Sequence, residues 1–354
     1  IPLEKCTHII YSFLETDNQT GNLIFRKRDG KDEKDILKEL SQLKDDPKGK
    51  HLKILFSYGA GAHTQSLMNQ IGDDGKMKKF VKHIVWWLDD LRIDGVNFHL
   101  EGPGPQVSKK HEMITILKFI KTLRREVMDR KMITAQLPAC RHNEKNFLFM
   151  SETMSRHLNY LFLMTFDYRL DDLHFTRLTS GLYNYTDHNG PTTVESETCL
   201  GKWINSGVPK YKIIPGLAVY GRSFTLDNSS YNGVSAKLKQ GHPLGKAASY
   251  TKTDGYMNYV ETCQRANSKQ WRREWAPYAA TAYIYSNNQW VSYDDKGSGE
   301  VKVKWFRSHS FGGVFVWSLE DDDFAGMCNK GELYPMLQVC WNVIKDYRPL
   351  RLKA

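Results

Sequence analysis

Short apolar runs alternate along the chain with longer segments in which apolar residues recur every three or four positions. The short runs occupy 8–14, 53–58, 95–100, 132–137, 160–166, 212–219 and 312–317. Most of them are continuous apolar runs, which are typical of strands that are buried on both faces. The pattern therefore predicts seven strands of a parallel sheet.

The segments between these runs are predicted to be helices. Their apolar stripes follow Met77, Phe80, Val81, Ile84, Leu88 and Leu91, then Ile114, Leu117, Ile120, Leu123 and Val127, and later the surroundings of Trp203. Strands that alternate with helices indicate βαβ units. This number of strands over the chain length favours an α/β fold of the TIM, or (β/α)8, barrel type over an open doubly wound sheet. No strand is followed by the Gly-x-Gly-x-x-Gly loop of a dinucleotide site.

One segment interrupts the alternation of strands and helices. Between about 224 and 303 the chain carries Gly, Asn and Ser turns, and two aromatic-rich runs, 281–285 and 290–293, flank a short polar turn. Such a pair of runs is typical of a β-hairpin. We therefore expect the first part of a barrel in 1–223, an inserted α+β subdomain in 224–303, and the last barrel strand and helix in 304–354.

The number of predicted strands is one short of a complete barrel. A parallel barrel that lacks a strand would expose an unpaired edge and its interior. We therefore expect that the 354 residues lack the first strand of the native barrel.

Composition restricts the function classes. The 50 Lys and Arg residues exceed the 40 Asp and Glu residues by a formal charge of +10, but they are scattered and accompany no groove-reading motif, so nucleic-acid binding is not expected. No apolar stretch is long enough for a membrane span.

The six cysteines contain no Cys-x-x-Cys unit, and neither a metal nor a redox site is predicted. Sequons at Asn18, Asn184 and Asn228 together with an even number of cysteines favour a secreted, disulfide-bearing glycoprotein.

The run at 95–100 carries polar residues at alternate positions. Because alternate residues of a strand face the same side, Asn97, His99 and Glu101 form one polar row. Glu101 precedes Gly-Pro-Gly and is expected at the carboxyl rim, where barrel enzymes hold their catalytic residues. Polar side chains in a barrel interior are costly unless they are hydrogen-bonded. A satisfied polar ladder without a catalytic role is therefore the alternative interpretation.

The same segment resembles the signature of glycoside hydrolase family 18, which comprises chitinases and chitinase-like proteins of the chi-lectin type. The family strand reads Asp-Gly-x-Asp-x-Asp-x-Glu, and this chain reads Asp-Gly-Val-Asn-Phe-His-Leu-Glu over 94–101. Further similarities lie at 6–13, 164–167, 215–224 and 312–320. The resemblance covers nearly the whole chain and implies a TIM barrel with an inserted subdomain.

The resemblance implies a substrate-assisted retaining mechanism, in which the substrate's own acetamide attacks the anomeric carbon. Glu101 keeps the position of the general acid. The carboxylate that orients the acetamide and balances its charge is replaced by His99, the inner Asp by Asn97, and the Tyr of the sixth strand by Phe166. An imidazole cannot supply negative charge against a developing cation. The family's stacking Trp after the third strand is also absent, because the chain reads Gly-Ala-Gly at 59–61.

The resemblance also implies ligand contacts and a disulfide bond. The residues that match family substrate contacts are Met164, Asp167, Tyr220, Arg222 and Trp317. Trp317 could instead be a core residue of the barrel floor, and Arg222 could form a structural ion pair with Asp167 or Glu101. Cys263 and Cys328 match positions that the family bridges, and Cys6 is expected to pair with a cysteine on the missing strand. The pairing of the remaining cysteines cannot be read from the sequence.

The leading interpretation is a secreted, catalytically inactive chitinase-like protein that binds N-acetylglucosamine-containing glycans or chitooligosaccharides in a degenerate cleft. One alternative is a weakly active N-acetylglucosamine-directed glycoside hydrolase that uses Glu101 as its acid. Another is a growth-factor-like extracellular scaffold with a vestigial cleft and a protein partner. None of these interpretations requires a cofactor.

Overall fold

The structure is a computed structural model that describes residues 1–17, 19–59, 63–100, 110–140, 144–168, 170, 172–186 and 193–349. Its chain divides into two compact units. The first unit comprises Ile1–Pro138, His142–Phe162 and Ser206–Lys212. The second comprises Ala139–Arg141, Leu163–Asn205 and Ile213–Ala354.

The first unit is built on a parallel sheet flanked by helices. Its strands are β1 (His8–Thr16), β2 (Leu23–Ile24), β3 (Lys27–Arg28), β4 (Lys31–Asp32), β5 (Lys53–Gly59), β6 (Gly95–His99) and β7 (Met132–Pro138). Its helices are α1 (Glu33–Gln42), α2 (His63–Ile71), α3 (Asp74–Asp90), α4 (Lys110–Val127) and α5 (Glu144–His157). Strands β1, β5, β6 and β7 pair in parallel in that order. β2 pairs antiparallel with β1, and β3 pairs with β4. A further strand, β8 (Tyr160–Met164), begins in this unit.

The helices of the first unit bury the predicted apolar stripes. Asp73 caps α3 by accepting a hydrogen bond from the backbone of Lys76, and the helix buries the stripe that begins at Met77. The rings of Phe98 in β6 and Phe119 in α4 pack edge to face, with 5.0 Å between their centroids. The apolar face of β6 therefore packs against a helix, which leaves its polar row on the opposite face.

The second unit combines a parallel strand pair with an antiparallel sheet. Its strands are β9 (Ile213–Ala218), β10 (Tyr220–Thr225), β11 (Tyr256–Asn258), β12 (Arg272–Ala276), β13 (Thr281–Ser286), β14 (Gln289–Tyr293) and β15 (Phe315–Trp317). Its helices are α6 (Ser196–Asn205), α7 (Tyr259–Ala266), α8 (Lys296–Ser308) and α9 (Pro335–Ile344). β9 and β15 pair in parallel, whereas the antiparallel sheet has the order β11-β10-β14-β13-β12.

The predicted hairpin is confirmed. β13 and β14 pair antiparallel from Ala282 opposite Tyr293 to Ser286 opposite Gln289. Asn287 in the connecting turn has a φ of 49°, a left-handed conformation that Asn tolerates better than most residues. The antiparallel sheet begins at Tyr220, before the predicted boundary at 224, and α8 crosses the boundary at 303. The domain boundaries stay a prediction.

Two buried acidic residues anchor helices of the second unit. Asp294 forms an ion pair with Lys302 of α8, and both side chains are at most 3% exposed. Asp322 accepts hydrogen bonds from the backbone of Met336 (3.3 Å) and Leu337 (3.0 Å) in the first turn of α9. Burial raises the pKa of Asp322 to about 6, although these N–H donors lower it.

Every predicted strand is found where the sequence places it. Each of the seven runs overlaps one strand of the described chain, namely β1, β5, β6, β7, β8, β9 or β15. The three helical stripes correspond to α3, α4 and α6. The expectation that the native barrel has an earlier strand stays a prediction.

Candidate functional site

Asn97 lies at the centre of a hydrogen-bonded ladder across three strands of the first unit. Its Nδ2 donates to Ser57 Oγ at 2.9 Å, and its Oδ1 accepts from Thr134 Oγ1 at 2.9 Å. The three residues stand in register on β5, β6 and β7, and all three are fully buried. This part of the row is therefore a satisfied, uncharged ladder, which is the alternative that the sequence left open.

His99 occupies the next position of the same row toward the carboxyl end of β6. Its side chain is 3% exposed, and its ring meets Phe13 edge to face at 5.0 Å between centroids. In register beside it lie Gly59 on β5 and Gln136 on β7. Gly59 has a φ of 114°, and a Cβ there would lie 2.3 Å from the His99 carbonyl oxygen, so a larger residue would separate the strands.

Gln136 is a site residue that the sequence interpretation missed. Its side chain is 2% exposed, and its amide nitrogen has no hydrogen-bond partner among the described residues. The available signal was the alternation of Thr134 and Gln136 with apolar residues along β7, the same period-two pattern that revealed the row on β6. Because residues in register on parallel strands face the same way, Gln136 belongs to the polar row of Asn97 and His99.

Asp94 fixes the beginning of the motif strand. Its carboxylate accepts from the backbone of Ile54 at 2.9 Å and from the ammonium of Lys44 at 2.9 Å. Burial raises the pKa of Asp94, but these donors outweigh burial and hold it below its usual value. The first acidic residue of the motif therefore has a structural role, because it ties β6 to β5.

In the second unit, Asp167 and Arg222 form an ion pair. Nε of Arg222 donates to Oδ1 of Asp167 at 2.8 Å, and its Nη2 donates to Oδ2. The exposed fractions of the Arg222 and Asp167 side chains are 26% and 11%. The guanidinium also lies over the rings of Tyr220 and Tyr256, at 5.0 and 5.2 Å from the ring centroids. The structural ion pair considered from the sequence is therefore present, with Asp167 as the partner.

Phe166 belongs to an apolar cluster rather than to a polar site. Its ring meets Tyr220 and Phe315 edge-on at 6.1 and 6.0 Å. The other members of the cluster are Met164, Ala218, Tyr256 and Trp317. A Cβ on Gly216 would lie 2.6 Å from both phenylalanine rings, so this glycine is needed for their close packing. The cluster keeps four of the predicted site residues together: Met164, Phe166, Tyr220 and Trp317.

The predicted ligand contacts differ in accessibility. Tyr220 is 5% exposed and stacks on Tyr256 at 4.8 Å, whereas Trp317 is half-buried. Burial raises the pKa of Tyr220 well above its ordinary value, and the nearby Asp167 raises it further. Tyr220 is therefore a neutral, packed ring. The ligand roles of Met164, Asp167, Tyr220, Arg222 and Trp317 stay predictions.

Tyr256 and Asp321 extend this part of the site and were not predicted. The Tyr256 hydroxyl donates to Oδ2 of Asp321 at 2.7 Å, and Ser318 Oγ donates to the same oxygen at 2.7 Å. Burial raises the pKa of Asp321, although these two donors lower it. The hydrogen bond to Asp321 holds the Tyr256 ring, which stacks on Tyr220. Tyr256 and Asp321 are too far apart along the chain for a local sequence motif to reveal their contact.

The structure tests the predicted covalent features in part. Cys263 and Cys328 form the predicted disulfide bond, and Cys140 pairs with Cys199. Cys6 and Cys340 are unpaired, so the even cysteine count does not correspond to three bridges. Glu101 and Asn18 lie outside the described residues. Asn184 and Asn228 are both exposed.

The chain as a whole matches a known protein family. The model of glycosyl hydrolases family 18 matches residues 1–322, and the chain belongs to this family as a chitinase-like member. The match confirms the family resemblance and the α/β TIM-barrel class predicted from the sequence. Among the described residues, no helix is long and apolar enough to cross a membrane.

Three similar proteins illustrate the range of the family. Mouse chitotriosidase-1 is 30% identical over 344 residues, which are 94% of this chain and 70% of the relative. Human oviduct-specific glycoprotein is 28% identical over 96% of this chain, which spans only 49% of that relative. The structure of human YKL-39, a pseudo-chitinase with retained chitooligosaccharide binding properties, matches with a TM-score of 0.84 and 26% identity, over 98% of this chain and 93% of that one.

Proposed function

We propose that this protein is a secreted, catalytically inactive chitinase-like protein that binds N-acetylglucosamine-containing glycans. The observation that carries the proposal is the uncharged ladder at Asn97, beside His99 on the motif strand. In the family mechanism, a carboxylate next to the acid balances the positive charge of the oxazolinium ion. Here the ladder contributes an amide and two hydroxyls, and His99 contributes an imidazole, so no described member of the row carries negative charge.

The hydroxyl that would hold the acetamide oxygen is also absent. Phe166 occupies the position of the family's Tyr and packs among the rings of Tyr220 and Phe315. Removal of one preorganised polar group of this kind typically lowers the rate about 10²–10³-fold. Several such losses act as a unit and need not multiply, but a retained acid at Glu101 does not replace the missing charge.

Two features support a remaining glycan-binding role. Asp167 and Arg222 form a pre-organised pair whose guanidinium keeps further N–H donors for a ligand, since two of its five donors are directed at Asp167. Trp317 is a half-buried member of the aromatic cluster that contains Phe166 and Tyr220. The face of an aromatic ring can pack against the CH-rich side of a sugar ring. Human YKL-39 provides the precedent within the family for retained chitooligosaccharide binding.

Secretion is proposed from the covalent features. Two disulfide bonds, Cys140–Cys199 and Cys263–Cys328, persist in oxidising compartments and are rare in the cytosol. The sequons at Asn184 and Asn228 are exposed, as glycosylation requires.

The test measures binding and hydrolysis on the same purified full chain. We expect chitotetraose to bind in isothermal titration calorimetry with a Kd in the range of about 1 µM to 1 mM, and we expect no product by mass spectrometry during prolonged incubation. Glu101→Gln is the control, and it should match the wild type in the hydrolysis assay. Sustained product release that this variant abolishes would refute inactivity and favour the weakly active hydrolase.

An extracellular scaffold is the second candidate function, because the first unit exposes an aromatic patch. Trp86 on α3 is 54% exposed and packs edge-on against Trp87, which in turn meets Phe25 at 4.6 Å. Exposed aromatic patches with a polar rim mark interaction sites, and Lys34 lies over Trp87 at 4.7 Å. The absence of both binding and hydrolysis in the same experiment would favour this candidate.

A further inference from the structure

The polar row of the first unit contains one closed position and one open position. At the closed position, Asn97 donates to Ser57 and accepts from Thr134, so both ends of its amide are used. At the open position, one step toward the carboxyl end, the amide nitrogen of Gln136 has no hydrogen-bond partner among the described residues. Both amides are equally buried, since Asn97 is 0% and Gln136 is 2% exposed.

An unpartnered amide in the interior is costly to the folded protein. Buried polar groups in proteins are nearly always hydrogen-bonded, and an exception requires an explanation. Leucine is an apolar residue of broadly similar size and would occupy this position without leaving a buried polar group unpaired. The retention of a glutamine at 136 is therefore not explained by packing alone.

We propose that Gln136 is a specificity-determining residue that hydrogen-bonds the N-acetyl group of a bound sugar. This inference rests on the proposed glycan-binding function. An acetamide carries one carbonyl acceptor and one N–H donor, and the primary amide of Gln136 offers a donor and an acceptor in return. Both amides are neutral, so this pairing requires no carboxylate. In the family, by contrast, a carboxylate at the position of His99 orients the acetamide. Gln136 lies in register with His99 on the adjacent strand, which places it beside that position.

The proposal predicts opposite effects on affinity and on stability. Gln136→Leu removes a group that is unsatisfied in the free protein, so the melting temperature of the free protein should stay the same or rise by about 1–3 °C. The same change removes a hydrogen bond to the ligand, so the affinity for chitotetraose should fall about five- to ten-fold. The ratio of the affinity for chitotetraose to the affinity for the glucosamine tetramer should fall by a similar factor, because only chitotetraose carries acetyl groups.

A matched Gln→Leu variant in the second unit provides the control. Gln289 donates to Thr225 Oγ1 at 3.2 Å and accepts from the backbone of Lys246 at 2.9 Å. Gln289→Leu should therefore lower the melting temperature and leave the affinity for chitotetraose unchanged. The experiment uses calorimetric titration and thermal unfolding of the full chain for all three proteins.

The outcomes separate this inference from the proposed function. If the wild type binds chitotetraose and Gln136→Leu binds equally well, the role of Gln136 is wrong while the proposed function stands. If affinity falls only together with a large loss of melting temperature, Gln136 is structural and the inference is also wrong. If the wild type does not bind chitotetraose, the proposed function fails and the inference fails with it.

Discussion

At the scale of single residues, the described polar row is held by hydrogen bonds between neutral groups. Asn97 keeps the shape of an aspartate, but its nitrogen is a donor to Ser57 and its oxygen is an acceptor from Thr134. The ladder is stable without a charge, because every polar end meets a partner. His99 lies beside this ladder, so a single new carboxylate at 99 would have no charged partner in the described row.

We expect that His99→Asp alone does not restore chitinase-like turnover. The new carboxylate would supply one charge, but Asn97 would stay neutral and Phe166 would still lack a hydroxyl. The triple variant with Asn97→Asp, His99→Asp and Phe166→Tyr should release more product than the single variant, since these groups act as a unit. Product release from chitotetraose, followed by mass spectrometry, compares the two variants. Turnover by the single variant that equals that of the triple variant would contradict this account.

At the scale of secondary-structure elements, the strands were predictable and their side-chain roles were less so. The run that became β5 is largely apolar, because parallel strands are buried on both faces. Thr134 and Gln136 repeat on β7 the period-two polar pattern of β6, but Gln136 was missed because none of the segments that resemble the family covers that run. The contact between Tyr256 and Asp321 joins residues 65 positions apart, and no periodicity encodes such a contact. The Cys140–Cys199 bridge was unpredictable for the same reason, whereas family resemblance correctly implied Cys263–Cys328.

The start of α9 gives a pH-dependent prediction at this scale. The pKa of Asp322 is raised from 3.8 in the unfolded chain to about 6 in the fold. Its contribution to stability is therefore fully present below about pH 4 and is lost as the pH rises through about 6. Asp322→Asn, which cannot titrate, should remove about 2–3 kcal/mol of the fall in unfolding free energy between pH 4 and 7.5. Urea unfolding of both proteins at the two pH values measures this difference. An equal change in unfolding free energy for the two proteins would show that folding does not raise the pKa of Asp322.

At the scale of the whole molecule, family membership does not by itself assign an activity to this chain. The family match covers residues 1–322, and the proteins similar to this chain include both a chitotriosidase and a pseudo-chitinase. Sequence likeness over the whole chain therefore cannot decide activity, because activity depends on a few side chains of the motif strand and its neighbours. The chain-wide charge of +10 has no counterpart in a described basic site.

Use of the exposed sequon at Asn228 can be tested in the secretory pathway. Asn228 is exposed in a turn, where its Oδ1 accepts from the backbone of Ser230 at 2.9 Å. Asn184 instead uses both ends of its amide, donating to Thr198 Oγ1 at 2.6 Å and accepting from the backbone of Glu195 at 2.8 Å. We expect the chain, expressed with a secretion signal in animal cells, to carry a glycan at Asn228. Asn228→Gln should reduce the mass by one N-glycan in intact-protein mass spectrometry, and an unchanged mass would show that this sequon is not used.

Both disulfide bonds lie within the second unit, since Cys140, Cys199, Cys263 and Cys328 all belong to it. Neither bond joins the parallel strands β1, β5, β6 and β7 of the first unit. During synthesis, these strands also emerge from the ribosome ahead of most of the second unit. The polar row of Asn97, His99 and Gln136 therefore lies on strands that neither of these bonds joins. The second unit, which holds Arg222 and Asp167, is the part of the described chain whose cross-links depend on the redox state of the compartment in which the chain matures.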